Sequence, residues 1–240
     1  MVSQANVNET GSVSMDVLVR LRTAILDGAY APKEKLRFAD LQKEYEAGVG
    51  TLREALSHLL SEGFVTLDAG KGFRVAPVSM DDLHDITENR VELEMRAIRD
   101  AVKKGDDQWE AGVVAKFHLL DKMEKVPIAD RLRDPTSWTN IHRDFHRELV
   151  KPCDSKWLLH FHRILFDQAH RYRMLALRHR PPGKTTRTGE HRALMDAMLQ
   201  RDLKQALALS ERHIRLTVED VEKHAPQILK APIPRKGGDK

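Results

Sequence analysis

The apolar positions change period near residue 63, and this constrains the fold more than any other feature. Val17, Leu18, Leu21 and Ile25 recur at helical spacing, and Gly28 then offers a stop. Pro32 falls in the following loop, and Phe38, Leu41 and Tyr45 line one face of a short second helix. The polar stretch Glu46-Ala47-Gly48 makes a tight turn into a third helix over Val49 to Ser61. There Leu52, Ala55, Leu56, Leu59 and Leu60 are expected to face inward, with Gly63 as the C-terminal cap. Phe64-Val65-Thr66-Leu67 then reads as a strand, Asp68 to Gly72 as a turn, and Phe73-Arg74-Val75 as a second strand. Three helices followed by a β-hairpin predict a winged helix-turn-helix.

Everything beyond Val78 has helical patterning. Ser79 with Asp82 three residues on resembles a capping box, with Asp in place of Glu. Helices are expected over about 80–104, 107–125, 136–151, 155–178, 188–200 and 202–223, with breaks at Gly105, Pro127 to Pro135, Pro152 and Pro181-Pro182-Gly183. Aromatic residues make up only 5% of the 240 residues, which favours helices packed on helices over sheets. The expected fold class is mainly α, an N-terminal winged helix-turn-helix plus a C-terminal all-helical bundle. The expected divisions are a loose tail at 1–11, the winged domain at 12–78, the helical domain at 79–224 and a flexible tail at 225–240.

Residues 1–14 are polar and lack the apolar core of a signal peptide, and no apolar run approaches the roughly 20 residues that span a membrane. Cys153 is the only cysteine, so no intrachain disulfide can form. Together these predict a cytoplasmic protein with no membrane partner. The net charge of +4 does not locate a nucleic-acid surface, because residues 1–78 hold nine Lys and Arg against ten Asp and Glu. The arrangement of a few residues has to do so. In a helix-turn-helix the second helix of the motif enters the major groove, so its first turn must be small or polar. Gly48, Val49, Gly50 and Thr51 meet that need, and Arg53 follows on the exposed side, able to reach a phosphate or a guanine edge. Gly70 and Gly72 permit the wing's turn, Lys71 can reach the backbone or minor groove, and Arg74 flanks it. Taken singly, Arg53 is more often a solvated arginine and Gly70-Lys71-Gly72 a plain hairpin turn; only their order is specific.

The helical half is rich in histidine. His142 and His146 are four apart on one predicted helix and so face the same way, able to share one metal ion. His191 begins a later helix and His213 lies in the next, so imidazoles from three helices could converge in the bundle. Twelve histidines would also give such a pair by chance. A donor set made only of imidazole suits Zn²⁺ or Ni²⁺ better than Mg²⁺ or Ca²⁺.

Two resemblances gather these observations. Leu52-Arg53-Glu54-Ala55-Leu56, Glu62-Gly63-Phe64-Val65 and Gly70 to Val75, with Ala24 to Gly28 and Lys35-Leu36 upstream, resemble the DNA-binding domain of the GntR family. The resemblance implies that Thr51, Arg53, Gly70 and Lys71 lie at operator DNA. That family often has Ser-Arg where this chain has Gly48-Val49, so the operator should differ from that of commoner members. Arg90-Val91-Glu92-Leu93-Glu94, Phe145-His146-Arg147-Glu148-Leu149, Glu190 to Leu194 and Arg212-His213 resemble the FCD domain of the FadR subfamily. That resemblance implies a metal held by His146, His191 and His213, with His142 where the family has Asp or Asn. It also implies a carboxylate effector beside Arg90, and Arg171 or Arg173 could hold its far end. Arg90 and Glu94 could equally be a helix-surface pair.

The stretches Gly48-Val49-Gly50, Trp109-Glu110-Ala111, Ala115-Lys116 and Ala169 to Arg173 are similar to CsiR-type repressors, which implies a dicarboxylate effector such as glutarate. The expectation is a homodimeric repressor that binds double-stranded operator DNA and is not an enzyme. Two alternatives stay open: a direct metal sensor, and a metal-dependent enzyme. For the latter no HExxH carboxylate is present, since Arg143, Asp144 and Phe145 separate the first two histidines.

Overall fold

A computed structural model of the chain describes residues 5–180 and 189–226. The described residues form two compact units that divide between Val78 and Ser79. The expected break at Pro181-Pro182-Gly183 and most of the C-terminal tail lie outside the described residues.

The first unit holds α1 (Ala5–Leu26), α2 (Phe38–Tyr45), α3 (Val49–Ser61), β1 (Val65–Asp68) and β2 (Gly72–Val75). Helix α1 begins well before the expected start and runs back through the segment read as a loose tail. No proline interrupts residues 5–16, and adding a turn to an existing helix is far easier than nucleating one. Both α1 and α3 end where glycine permits a left-handed turn. Gly28 has φ 74°, and the amides of Gly28 and Ala29 bond back to the carbonyls of Ile25 and Ala24. Gly63 repeats this at φ 77°, with its own amide and that of Phe64 on Leu60 and Leu59. Between α2 and α3 the left-handed residue is Glu46, at φ 51°, while Gly48 is extended and precedes the first turn.

Leu21, Leu26, Leu41, Leu52, Leu56, Leu59 and Phe64 fill the core of this unit, and a half-buried ion pair joins Arg22 to Glu62. Leu60 departs from expectation: it is 37% exposed, because the i, i+3, i+4 stripe through Leu52, Leu56 and Leu59 turns it outward. The strands pair antiparallel, Val65 opposite Val75 and Asp68 opposite Gly72, and Gly70 and Gly72 take positive φ in the turn. Residues 33–36 add a further edge, with Leu36 N–H on the Phe73 carbonyl and Val75 N–H on that of Glu34.

The second unit is helical: α4 (Met80–Lys104), α5 (Asp107–Glu124), α6 (Ile128–Arg131), α7 (Pro135–Val150), α8 (Lys156–His179), α9 (Glu190–Leu199) and α10 (Leu203–His224). The short α6 lies inside the stretch read as a plain break, since proline tolerates the first helical turn even where it ends a longer helix. Side chains of Ser79, Asp106, Asp134, Ser155 and Asp202 each accept a backbone N–H three residues on, which fixes five helix starts. Helix α8 packs against α4 and α10, and α5 against α7 and α9. No helix among the described residues is long and apolar enough to cross a membrane.

Candidate metal centre

Helix α8 is buried on nearly every side from Phe166 to Met174, yet it carries Asp167, Gln168, His170, Arg171 and Arg173 there. Buried polar groups cost free energy unless bonded, so their partners define the polar core of the bundle. Asp167 accepts from Arg143 at 3.0 Å, and His170 lies 3.1 Å from the Thr139 hydroxyl. His162 Nε2 lies 2.6 Å from Glu94, with both side chains nearly inaccessible. Arg90 is 1% exposed and stacks its guanidinium 4.6 Å from the centre of the Phe166 ring. Arg90 and Glu94 are therefore not a helix-surface pair, because both point into the α4–α8 contact.

One group of side chains differs from the rest. His142 and His146 from α7, His191 from α9 and His213 from α10 converge, with one ligating nitrogen of each lying within 4.8 Å of the others. All four are buried. Burial holds the His142 and His146 imidazoles well below the usual histidine range, with Arg173 adding to the effect on His142 and His191 to that on His146. Both are neutral near pH 7, the form that binds a metal ion. Neither ring nitrogen of His146 makes a hydrogen bond among the described residues, although the side chain is 1% exposed.

The Nδ1 atoms of His191 and His213 face Glu124 and Glu190, at 2.6 and 3.0 Å. A carboxylate on one imidazole nitrogen fixes the ring and makes the other nitrogen the better ligand. Sequence spacing gave no sign of either carboxylate, because Glu124 comes from the end of a different helix. An orphaned buried imidazole, three further imidazoles within reach and carboxylates behind two of them fit a transition metal. His142 has a competing partner: Arg173 Nη1 lies 2.7 Å from its Nε2 and 3.0 Å from its Nδ1.

A cavity of about 50 Å³ opens beside the cluster, lined by His142, His191, His213, Arg131, Arg173 and Arg180 among others. That is room for a few water molecules. Three arginines line it together with two carboxylates, Glu124 and Asp220, which are already engaged by His191 and Arg180. Arg180 is held by Asp220 at 2.9 Å, and the Arg131 guanidinium lies 5.9 Å from the centre of the Trp138 ring. Arg173 was expected at the site, whereas Arg131 lies inside one segment read as a break, Arg180 flanks another, and neither carried a signal. Arg90 stays near enough for its charge to depress His146. Arg171 is not brought to the cavity. It donates to Gln168 at 3.0 Å, and the opposing charge that acts on it is the Asp82 carboxylate. Residues two apart on a helix point about 200° apart, which separates Arg171 from Arg173. A wider cleft of about 380 Å³ lies along Lys116, Arg147, Lys151, His162 and Arg163, with none of the four clustered histidines in its wall, and there Lys116 and Lys151 already hold Asp144 and Glu148 at 2.8 Å.

In the first unit, Gly50 and Arg53 are exposed and Thr51 half-buried at the start of α3, with the Arg53 guanidinium 5.8 Å from the centre of the Phe38 ring. Lys71 is exposed at the tip of the hairpin beside Gly70. Arg74 is engaged within the wing, donating to Asp68 at 2.8 Å and to the Lys33 carbonyl at 3.2 Å.

Comparison with known proteins agrees with this division. Residues 14–75 match the model of bacterial regulatory proteins of the gntR family, and residues 85–216 match the FCD domain. The uncharacterized HTH-type transcriptional regulator BphR of Paraburkholderia xenovorans is 38% identical over 202 residues, covering 84% of this chain and 82% of that protein. The chain belongs to the GntR family. The HTH-type transcriptional repressor GlaR of Escherichia coli is also 38% identical, over 204 residues, with 84% and 92% covered. Among solved structures, E. coli McbR/YncC matches with a TM-score of 0.75 at 18% identity, over 88% of this chain and 97% of that one, a likeness of fold. This GntR-family protein is thus a DNA-binding transcription regulator with an FCD ligand-binding domain, and its relatives are regulators, not enzymes.

Proposed function

We propose that this regulator is a homodimeric repressor whose hold on operator DNA is set by a small dicarboxylate bound at a transition metal, Zn²⁺ or Ni²⁺, in the helical domain. The observation that carries the reading is His146: a buried imidazole with no hydrogen bond at either nitrogen among the described residues, facing three more imidazoles. His146, His191 and His213 would hold the ion. His142 would complete the set once Arg173 turns to an incoming anion. The ion supplies a Lewis-acidic position for one carboxylate, and Arg173, Arg131 and Arg180 would hold the other through charge-assisted hydrogen bonds. Arg90 would add to the burial that keeps the His146 imidazole neutral. A chain that is 38% identical to a repressor supports the sign of the regulation.

The winged domain, residues 12–78, would place α3 in the major groove, with Gly50 and Thr51 allowing close approach and Arg53 reaching base or phosphate. Lys71 and Gly70 would meet the backbone or minor groove. Arg74 would act by stiffening the wing through Asp68. Residues 79–224 would carry the effector and dimer functions, and a two-fold dimer would read two half-sites of a near-palindromic operator.

The test uses the full chain and a duplex it selects from a random pool. Operator binding is measured with Zn²⁺ or with chelator, against succinate, glutarate and adipate. Release by one dicarboxylate only when Zn²⁺ is present is the expected result. Indifference to all three dicarboxylates, with zinc demonstrably bound, would overturn the effector assignment. A second reading, in which the ion is itself the signal, draws on the small cavity of about 50 Å³. It requires operator affinity to change with chelation alone.

A further inference from the structure

Helix α8 carries two neighbours with different tasks. Arg173 contacts His142 of the histidine cluster, while the hydroxyl of Tyr172, a fully buried side chain, reaches the start of α4. There Tyr172 accepts the Ser79 N–H at 3.2 Å and donates to Asp82 at 2.5 Å. Ser79 also caps α4 by accepting the Asp82 N–H at 3.1 Å. In an ordinary capping box the acidic side chain would bond the cap residue's own N–H directly. Here the Tyr172 hydroxyl is inserted between the two, so the acidic half of the box closes only through α8, while the Ser79 side chain and carbonyl close the other half within α4 itself. Ser79 is the first residue after the winged unit, and the chain must pass through this clamp to enter the helical one.

Resting on the metal-and-effector reading above, we infer that Tyr172 is the positioning residue through which occupancy of the histidine cluster reaches the α4 N-terminus, and hence the linker to the DNA-binding unit. An anion or ion that draws Arg173 off His142 acts on the residue adjacent to Tyr172 in one helical turn. A rotation or slide of α8 that follows Arg173 must move the Tyr172 hydroxyl as well. Its two hydrogen bonds are directional and leave little play. The linker is thereby offered two states, clamped and released, which ligand binding can bias.

The experiment is hydrogen exchange on the full chain, read at the amides of residues 79–86, with Zn²⁺ and with chelator. Zinc binding is measured on the same samples by direct titration. In the wild type, zinc should change exchange at these amides by about tenfold, within the usual range of coupling between sites. In Tyr172→Phe the zinc-dependent change should shrink to less than about twofold, while zinc affinity stays within about threefold. Asp82→Asn, which keeps the packing of Tyr172 and weakens its acceptor, should give an intermediate loss, and it serves if Tyr172→Phe melts early. Zinc bound with no exchange difference in the wild type overturns the inference, as does a full difference in a folded Tyr172→Phe. Failure of zinc to bind at all instead removes the metal reading, and the inference falls with it.

Discussion

Replacing His146 with leucine should stabilise the metal-free protein. His146 is 1% exposed and neutral near pH 7, because burial depresses its pKa and His191 adds to that. A neutral imidazole presents one donor and one acceptor, and neither finds a hydrogen bond among the described residues. Each buried unsatisfied group costs about 1–3 kcal/mol, and leucine removes both. Refitting an aliphatic side chain beside Phe145 and Phe166 takes back about 1–2 kcal/mol. The net gain is about 0–5 kcal/mol, centred on about 2–3 kcal/mol. At about 2–4 °C per kcal/mol for a chain of this size, the Tm in chelator should rise by up to about 20 °C. Circular dichroism melts at pH 7.5 measure this directly. Zinc at 100 times its Kd should stabilise the wild type by about 2.7 kcal/mol and leave the variant unmoved. A variant less stable than wild type in chelator would refute the reasoning, since His146 would then have a partner worth keeping. A zinc shift equal to that of the wild type would remove His146 from the ligand set.

Four further predictions follow from the same geometry. The folded-state pKa of His142, His146 and His170 is depressed, so the unfolded chain takes up protons first as pH falls below its value near 6.5. The metal-free protein should therefore hold its stability above that pH and lose about 1.4 kcal/mol per group per unit below it, measurable by denaturant titration between pH 5 and 7. Glu124→Gln, which weakens the acceptor behind His191, should lower zinc affinity about 10- to 100-fold by competition titration, and an unchanged affinity would discard the support role. Arg53→Ala should abolish operator binding in a gel shift while zinc uptake is retained. Arg180→Ala should weaken dicarboxylate binding about tenfold in calorimetry with zinc affinity unchanged, and equal binding by the variant would free the second carboxylate from that arginine.

Much of the first unit was legible because its signals are local. Gly28 and Gly63 end helices through their own backbone freedom, and Gly70 and Gly72 turn the hairpin in the same way. The inward stripe of α3 follows from its period, and only Leu60 at its margin was misassigned. The four histidines were legible for a mixed reason. His142 and His146 share a helix face by arithmetic, whereas His191 and His213 entered through the resemblance to the FCD domain, because spacing alone does not say that separate helices meet.

The sequence by itself determined the order of elements, the winged layout and the types of donor available to a metal, because period, capping and side-chain chemistry are properties of neighbours along the chain. Tertiary structure alone decided which distant groups meet. It placed Glu124 and Glu190 behind the histidines, brought Arg131 and Arg180 to the cavity in place of Arg171, and buried Glu94 against His162. It also set the Tyr172 hydroxyl inside the cap of α4, a contact between residues 93 apart in sequence. Such pairings depend on how helices cross and rotate against one another, and no spacing within a single helix encodes that.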